Sequence, residues 1–138
     1  MTIQQAFFSF LQSNEITGIS NFRQVDDKLT LFSYQSINFL YVYESNDANI
    51  FHLIVPKIEE YRDGLEEKML DFTMRYKIAK VIRVDNFIWF SFEQIVFNQK
   101  EEDYRLFKLS IKVLASMLRD WKTPTVNAVP NGVGESNT

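Results

Sequence analysis

The first apolar residues of the chain recur at the spacing of a helix. Thr2 and Gln5 have the separation of a capping box, in which two side chains satisfy free amides at a helix start. The apolar positions that follow lie on one stripe: Ile3, Ala6, Phe7, Phe10 and Leu11. The pattern predicts an amphipathic helix over Thr2–Ser13.

From Phe22 to Val55 the apolar period changes to two, which is typical of strands. Polar turns separate four predicted consecutive antiparallel strands: Phe22–Val25, Leu29–Tyr34, Ile37–Glu44 and Ile50–Val55. If Tyr34 pairs with Ile37, one face of the middle strands carries Leu29, Leu31, Leu40 and Val42. The other face carries Phe32, Tyr34, Ile37, Phe39, Tyr41 and Tyr43. We expect helices to cover the aliphatic face, and the Tyr-rich face to form a surface, because tyrosine joins an apolar ring to a polar tip.

Two helices and a hairpin complete the pattern. Pro56 predicts the start of a helix of about five turns that ends near Lys77. The hairpin Ile78–Gln94 turns at Asp85-Asn86. The last helix, Glu101–Lys122, has a wide apolar face of two adjoining stripes: Phe107, Ile111, Leu114, Leu118 and Trp121 in one, and Leu106, Leu109, Val113 and Met117 in the other.

This order predicts one α+β domain over residues 1–122, with an antiparallel sheet flanked by three helices in the order α-β-β-β(-β)-α-β-β-α. The remaining residues, 123–138, have no aromatic side chain and contain two prolines. They are predicted to form a flexible tail.

The hairpin carries apolar residues on both of its faces. One face has Ala79, Val81, Ile88, Phe90 and Phe92, and the other has Ile78, Ile82, Val84, Phe87 and Trp89. An antiparallel sheet usually buries one face and exposes the other to water. The second apolar face therefore needs a cover, which is more of this chain, a second copy or a client polypeptide. A complex would be stabilised by about 8–15 kcal/mol at most, comparable with the cost of association, if it fully buried Ile82, Val84, Phe87, Trp89 and the neighbouring Phe39.

Composition and charge disfavour several classes of protein. A net charge of -3 gives no general attraction to nucleic acid or to an anionic membrane. The chain has no cysteine, which fits a reducing compartment. No Lys or Arg precedes Arg23, and the apolar runs are too short to span a bilayer. We expect a cytoplasmic protein without a targeting segment.

No catalytic chemistry is legible in the sequence. Nucleophile-elbow, P-loop and Rossmann glycine motifs are absent, and His52 is the only histidine, a poor start for a metal site. We expect no enzyme activity, no cofactor and no bound metal, although scattered Asp, Glu and Tyr residues could converge in the fold.

Two charged stripes have alternative interpretations. Acidic residues repeat every four positions in the second predicted helix (Glu59, Asp63, Glu67 and Asp71), and basic residues mark the third (Arg105, Lys108, Lys112 and Arg119). Each is either an ordinary solvated face or a docking strip, and the two could complement each other across a symmetric dimer.

The element order over Thr2–Lys122 resembles the fold of class I type III secretion chaperones and of the related YbjN-type bacterial proteins. The segment KMLDFTMRYKIAKVIRVDNFIWFSFE is similar to a YbjN-type passage in which a helix leads into a lysine-bearing strand and hairpin, with Tyr76, Lys77 and Lys80 at the junction. The resemblance implies a homodimeric, non-enzymatic protein that binds polypeptide. The secretion chaperones are commonly strongly acidic, whereas this chain has a net charge of only -3.

The main functional hypothesis is therefore a chaperone-like protein-interaction module that works as a homodimer. The candidate contact residues are Phe39, Tyr41, Tyr43, Ile82, Phe87 and Trp89 on the sheet, with Leu106, Val113 and Met117 on the last helix as a second seam. The alternative is a receptor for a small apolar ligand in a pocket on the aromatic sheet face. Such a pocket requires convergent polar groups, for which Tyr34, Tyr41, Tyr43 and His52 are the evident supply.

Overall fold

The computed structural model describes residues 3–44, 50–96 and 99–123, which form three helices and one six-stranded sheet. The elements in chain order are α1 (Ile3–Gln12), β1 (Ile19–Gln24), β2 (Leu29–Tyr34), β3 (Ile37–Glu44), β4 (Ile50–Glu60), α2 (Leu65–Arg75), β5 (Lys80–Val84), β6 (Phe87–Ile95) and α3 (Lys100–Lys122). The strands lie in the order β1-β2-β3-β4-β6-β5, and every neighbouring pair is antiparallel. The predicted α+β class and element order are confirmed. All but the first residue of the predicted tail lie outside the described residues.

Both predicted hairpin registers are confirmed. Tyr34 pairs with Ile37 across the β2–β3 turn, and Ile82 pairs with Trp89 across the Asp85-Asn86 turn. Asp85 has a φ of 55°, in the left-handed region. Two-residue hairpin turns use this region because its twist matches that of the flanking strands.

The predicted start of the second helix at Pro56 is wrong, because β4 continues through this proline to Glu60. A register shift lies between Val55 and Glu59, where β4 pairs with β6. Proline lacks the amide hydrogen of a regular ladder and is tolerated at such a bulge. The helix begins only after Gly64, whose φ of 97° suits a residue without a Cβ atom. Pairing with β6 thus outweighs the local helical pattern.

The core lies between the helices and one face of the sheet, which we call the core face. This face carries Phe32, Tyr34, Phe39, Tyr41, Phe51, Leu53, Val55, Val81, Ile88, Phe90 and Phe92, all buried. Phe107 of α3 lies at its centre, with its ring centroid 5.0 Å from Phe7 of α1 and 5.4 Å from Phe51 of β4. The core is therefore an aromatic layer that joins two helices to the sheet.

The junction of α2, α3 and β4 is held by Trp121. Its ring centroid is 5.0 Å from Phe72 and 5.6 Å from Phe90. Its Nε1 donates to Glu59 at 2.8 Å, and Lys68 Nζ donates to its carbonyl oxygen at 2.8 Å. Burial lowers the pKa of Lys68.

None of the described helices combines the length and the hydrophobicity that crossing a bilayer requires.

Replacing Phe107 with Ala should lower the free energy of unfolding by about 3–5 kcal/mol, because the ring is fully buried and its removal leaves a cavity. Urea denaturation followed by circular dichroism measures the change. Leu109→Ala on the same helix is the matched control, since Leu109 is 47% exposed and should change stability by less than about 0.5 kcal/mol. Equal losses in both variants would contradict this account of the core.

Candidate functional site

All three described helices pack on the core face and leave the opposite face, which we call the open face, without a covering layer. Phe7 of α1 contacts Phe32, Phe72 of α2 contacts Phe90, and Phe107 of α3 contacts Phe51. Each of these sheet residues lies on the core face. The partly exposed apolar residues on the open face are Leu29, Leu31, Leu40, Val42, Ile50, Ile54, Ile82, Val84, Phe87 and Trp89.

The open face spans the full width of the sheet. The pairing registers align one row across all six strands: Arg23, Leu31, Leu40, Ile54, Ser91 and Lys80. The centre of this row is apolar, while its two ends, on the edge strands, are basic. An apolar band that crosses several strands is the type of contiguous patch that marks an interaction site.

Three of the predicted contact residues lie together on the open face. Ile82, Phe87 and Trp89 are partly buried on β5 and β6, where the hairpin pattern places them. Lys57 Nζ lies 5.6 Å from the centroid of the Phe87 ring. Trp89 Nε1 is buried and has no acceptor among the described residues, which costs about 1–3 kcal/mol.

The prediction of which face of β2 and β3 is covered is wrong. Phe39 and Tyr41 are 1% and 0% exposed, so they belong to the core and cannot contact a partner in this conformation. Tyr43 is partly buried and packs against the same core. Burial raises the pKa of Tyr41, with the charge of Asp103 adding to the effect.

The aliphatic residues Leu29, Leu31, Leu40 and Val42, which were expected in the core, lie instead on the open face. Side-chain size was the signal that could have decided between the two faces. Aromatic side chains bury about 150–250 Å² each, so covering the aromatic face removes more apolar area from water.

The predicted second seam on α3 is only partly accessible. Met117 is fully buried, so its assignment as a contact residue is wrong. Leu106 and Val113 are partly buried and pack against the core. The wide apolar face of α3 is used mostly within the chain, because α3 contacts both the sheet and α1.

A second exposed apolar feature was not predicted. We call it the α2 stripe, and it consists of Leu70, Met74 and Ile78. Leu70 and Met74 are one turn apart on α2 and are 61% and 66% exposed, and Ile78 in the following turn is 51% exposed. The three residues are spaced by four, so the sequence carried the signal, but Ile78 was assigned to the hairpin and Leu70 and Met74 to no contact surface.

The predicted acidic ridge does not form. Glu59 lies on β4, where it accepts from Trp121 Nε1 and pairs with Arg62. Of the four residues of the predicted ridge, only Glu67 and Asp71 are on α2, and Asp71 pairs with Arg75 at 2.7 Å. The basic stripe has no continuous acidic counterpart on α2, so the proposed complementarity of the two stripes is not supported.

A polar cluster lies at the β4–β6 side of the open face. Glu93 accepts from Lys80 Nζ at 2.7 Å and lies 2.9 Å from His52 Nδ1. The hydrogen bond from Lys80 lowers the pKa of the Glu93 carboxyl, and the charges of Lys80 and His52 add to this effect. Within the described part of the chain, no group of His, Asp and Glu residues is arranged to hold a metal ion.

The face that the small-ligand alternative requires is packed with side chains. Tyr34 and Tyr41 are buried under the helices, while His52 lies on the opposite face of the sheet. The polar groups expected to converge in one pocket are therefore on opposite sides of the sheet.

No family model matches the chain, and no curated protein or solved structure is significantly similar to it. The functional interpretation therefore depends on the geometry of the open face and of the α2 stripe.

Glu93→Gln should lower the free energy of unfolding at pH 7 by a few tenths to about 1 kcal/mol, because the ion pair of Glu93 with Lys80 is exposed to water. The pKa of Glu93 is lowered in the folded state, so its contribution is present above the ordinary value of 4.5 and is lost as the pH falls through the lowered pKa. Urea titrations of the wild type and of Glu93→Gln between pH 7 and pH 2 measure whether their free energies of unfolding become equal as the pH falls. Glu15→Gln, on an exposed turn, is the control and should show no such pH-dependent gap.

Proposed function

We propose that the chain is a non-enzymatic, chaperone-like protein-interaction module that binds a polypeptide on its open face and works as a homodimer. One observation carries the proposal: three helices cover one face of the sheet, while the other face carries apolar side chains on β2 to β6 and has no cover among the described residues. A contiguous apolar patch of this kind is uncommon on a protein that works alone.

The magnitude of the available burial favours a reversible partner on this face. Leu40, Ile54, Ile82, Phe87 and Trp89 are already partly buried, so a partner removes only part of their surface from water. At about half of the usual 1.5–3 kcal/mol for each side chain, covering all five contributes about 4–8 kcal/mol. This lies at the low end of the cost of association, which suits a client that binds and leaves.

The α2 stripe is better suited to a permanent contact with a second copy. Its residues are more exposed than those of the open face, so their burial contributes more per side chain. In addition, α2 is acidic in its first turn, at Glu66 and Glu67, and basic in its last turn, at Arg75. A two-fold axis that packs two α2 helices antiparallel places the acidic start of one beside the basic end of the other.

The resemblance to YbjN-type proteins and class I type III secretion chaperones is part of this proposal. The element order in the described residues supports it, since a helix, consecutive strands, a second helix, a hairpin and a last helix follow one another in the same order. A cytoplasmic location is the corresponding expectation. The packed aromatic face removes the observation that favoured a small-ligand receptor.

Met74→Asp should convert the dimer to a monomer, because it places a charge in the centre of the proposed self-contact. Light scattering coupled to gel filtration, over a dilution series, measures the mass. The side chain is 66% exposed in one copy, so the variant should remain folded. Thr73→Asp, which adds the same charge at an exposed neighbouring position, should remain a dimer. A wild-type protein that is monomeric at every concentration would contradict the homodimer.

Immobilised wild-type protein should select peptides from a displayed library of random twelve-residue sequences. The double variant Leu40→Thr, Ile54→Thr should lose these peptides, because it replaces two central apolar side chains of the open face with polar ones. Threonine is favoured in strands, so the sheet should be retained, and circular dichroism checks this. Arg105→Glu on the outer side of α3 is a control that should keep binding. Selection of no peptide would contradict polypeptide binding.

A further inference from the structure

A β-bulge in the edge strand β1 directs Arg23 onto the open face. Ser20 pairs with Ser33 and Arg23 pairs with Leu31, so β1 places two residues over a span where β2 places one. Asn21 has a φ of 52°, and the ring of Phe22 lies 4.4 Å from that of Phe8 on α1. The bulge thus anchors Phe22 on the helix side and turns the next side chain to the other side. Bulges commonly re-aim a side chain at a functional position.

Arg23 borders a shallow depression of about 330 Å³ in the open face. Leu31 and Leu40 provide its apolar part, and the polar atoms around it come from Asn21, Ser33 and Asn38. Ser33 Oγ donates to Asn38 Oδ1 at 2.8 Å, which fixes both side chains. The depression therefore joins an apolar part to a rim that contains one guanidinium group.

Arg23 forms no ion pair with any acidic side chain among the residues that the structure describes. Among the described side chains that β1, β2 and β3 place on the open face, Arg23 is the only charged one, and it is not in an ion pair. In contrast, Lys80 at the other end of the same row is paired with Glu93. A protein with a net charge of -3 thus presents an unpaired cation beside an apolar depression.

We propose that the depression bordered by Arg23, Leu31 and Leu40 docks a polypeptide segment that has an Asp or Glu close to a large apolar residue. The carboxylate pairs with the guanidinium of Arg23, which offers a planar fork of donors that matches a carboxylate, and the apolar side chain covers Leu31 and Leu40. The inference rests on the proposed function, since it specifies the polypeptide that the open face binds.

The geometry of the sheet sets the spacing of this motif. Leu31 is the direct neighbour of Arg23 in the row, and Leu40 is one strand further. Neighbouring strands are about 4.8 Å apart, so the two parts of the site are separated by about 5–10 Å. Residues two apart in an extended peptide, or three to four apart in a helix, span this distance.

Peptides selected from the random twelve-residue library on the wild-type protein test the inference directly. We expect them to be enriched in Asp or Glu two to four residues from Leu, Ile, Phe or Trp. Fluorescence anisotropy of a labelled selected peptide should show that Arg23→Glu raises its Kd at least about tenfold, which corresponds to about 1.4 kcal/mol. Arg105→Glu makes the same change in net charge and should leave the Kd within twofold.

A charge exchange separates a direct pair from a loss of fold. The peptide with its acidic residue changed to Lys should bind wild type poorly and should regain affinity for the Arg23→Glu variant. Peptides that do not bind the Leu40→Thr, Ile54→Thr variant but bind Arg23→Glu as tightly as wild type would overturn this inference. They would still support polypeptide binding on the open face. Failure of the wild type to select any peptide would overturn both.

Discussion

The aromatic layer between the core face and the helices is the packing on which the remaining features depend. Phe107 connects α1, α3 and the sheet through ring contacts with Phe7 and Phe51. Because α1 and α3 bury this layer on one side of the sheet, they cannot cover the other side. All three described helices pack on the core face. The open face is a direct consequence of where the aromatic side chains lie.

The two exposed apolar surfaces differ in how far their side chains are exposed and in the charges beside them, and we propose different partners for them for this reason. The open face consists of side chains that their strand neighbours already shield in part, so covering them yields a moderate free energy. The α2 stripe has more exposed side chains on a short helix with opposite charges at its two ends. A two-fold contact satisfies both features of α2. In the proposed function, a polypeptide client on the open face leaves the proposed dimer intact, since the two surfaces belong to different elements.

Irregular backbone in two strands shapes the open face. The bulge in β1 delivers Arg23 to one end of the apolar row, and the register shift in β4 lies beside Trp89 and brings Lys57 near Phe87. A regular six-stranded ladder would present a more uniform apolar band. The irregularities add a cation at specific places, and the proposed selection among apolar segments depends on these cations.

The sequence by itself determined the elements, the hairpin registers and the two sets of alternating side chains, because these follow from local periodicity and turn chemistry. It placed Ile82, Phe87 and Trp89 correctly on one face for the same reason. Only the tertiary structure decided which set is covered, since alternation defines two faces but not the side on which the helices pack. Phe39 and Tyr41 were assigned to a contact surface for this reason, although they are buried. Met117 was assigned to one because the width of the apolar face of α3 does not show how much of it the chain itself covers. Likewise, the extension of β4 through Pro56 depends on pairing with the distant strand β6, which no local pattern records.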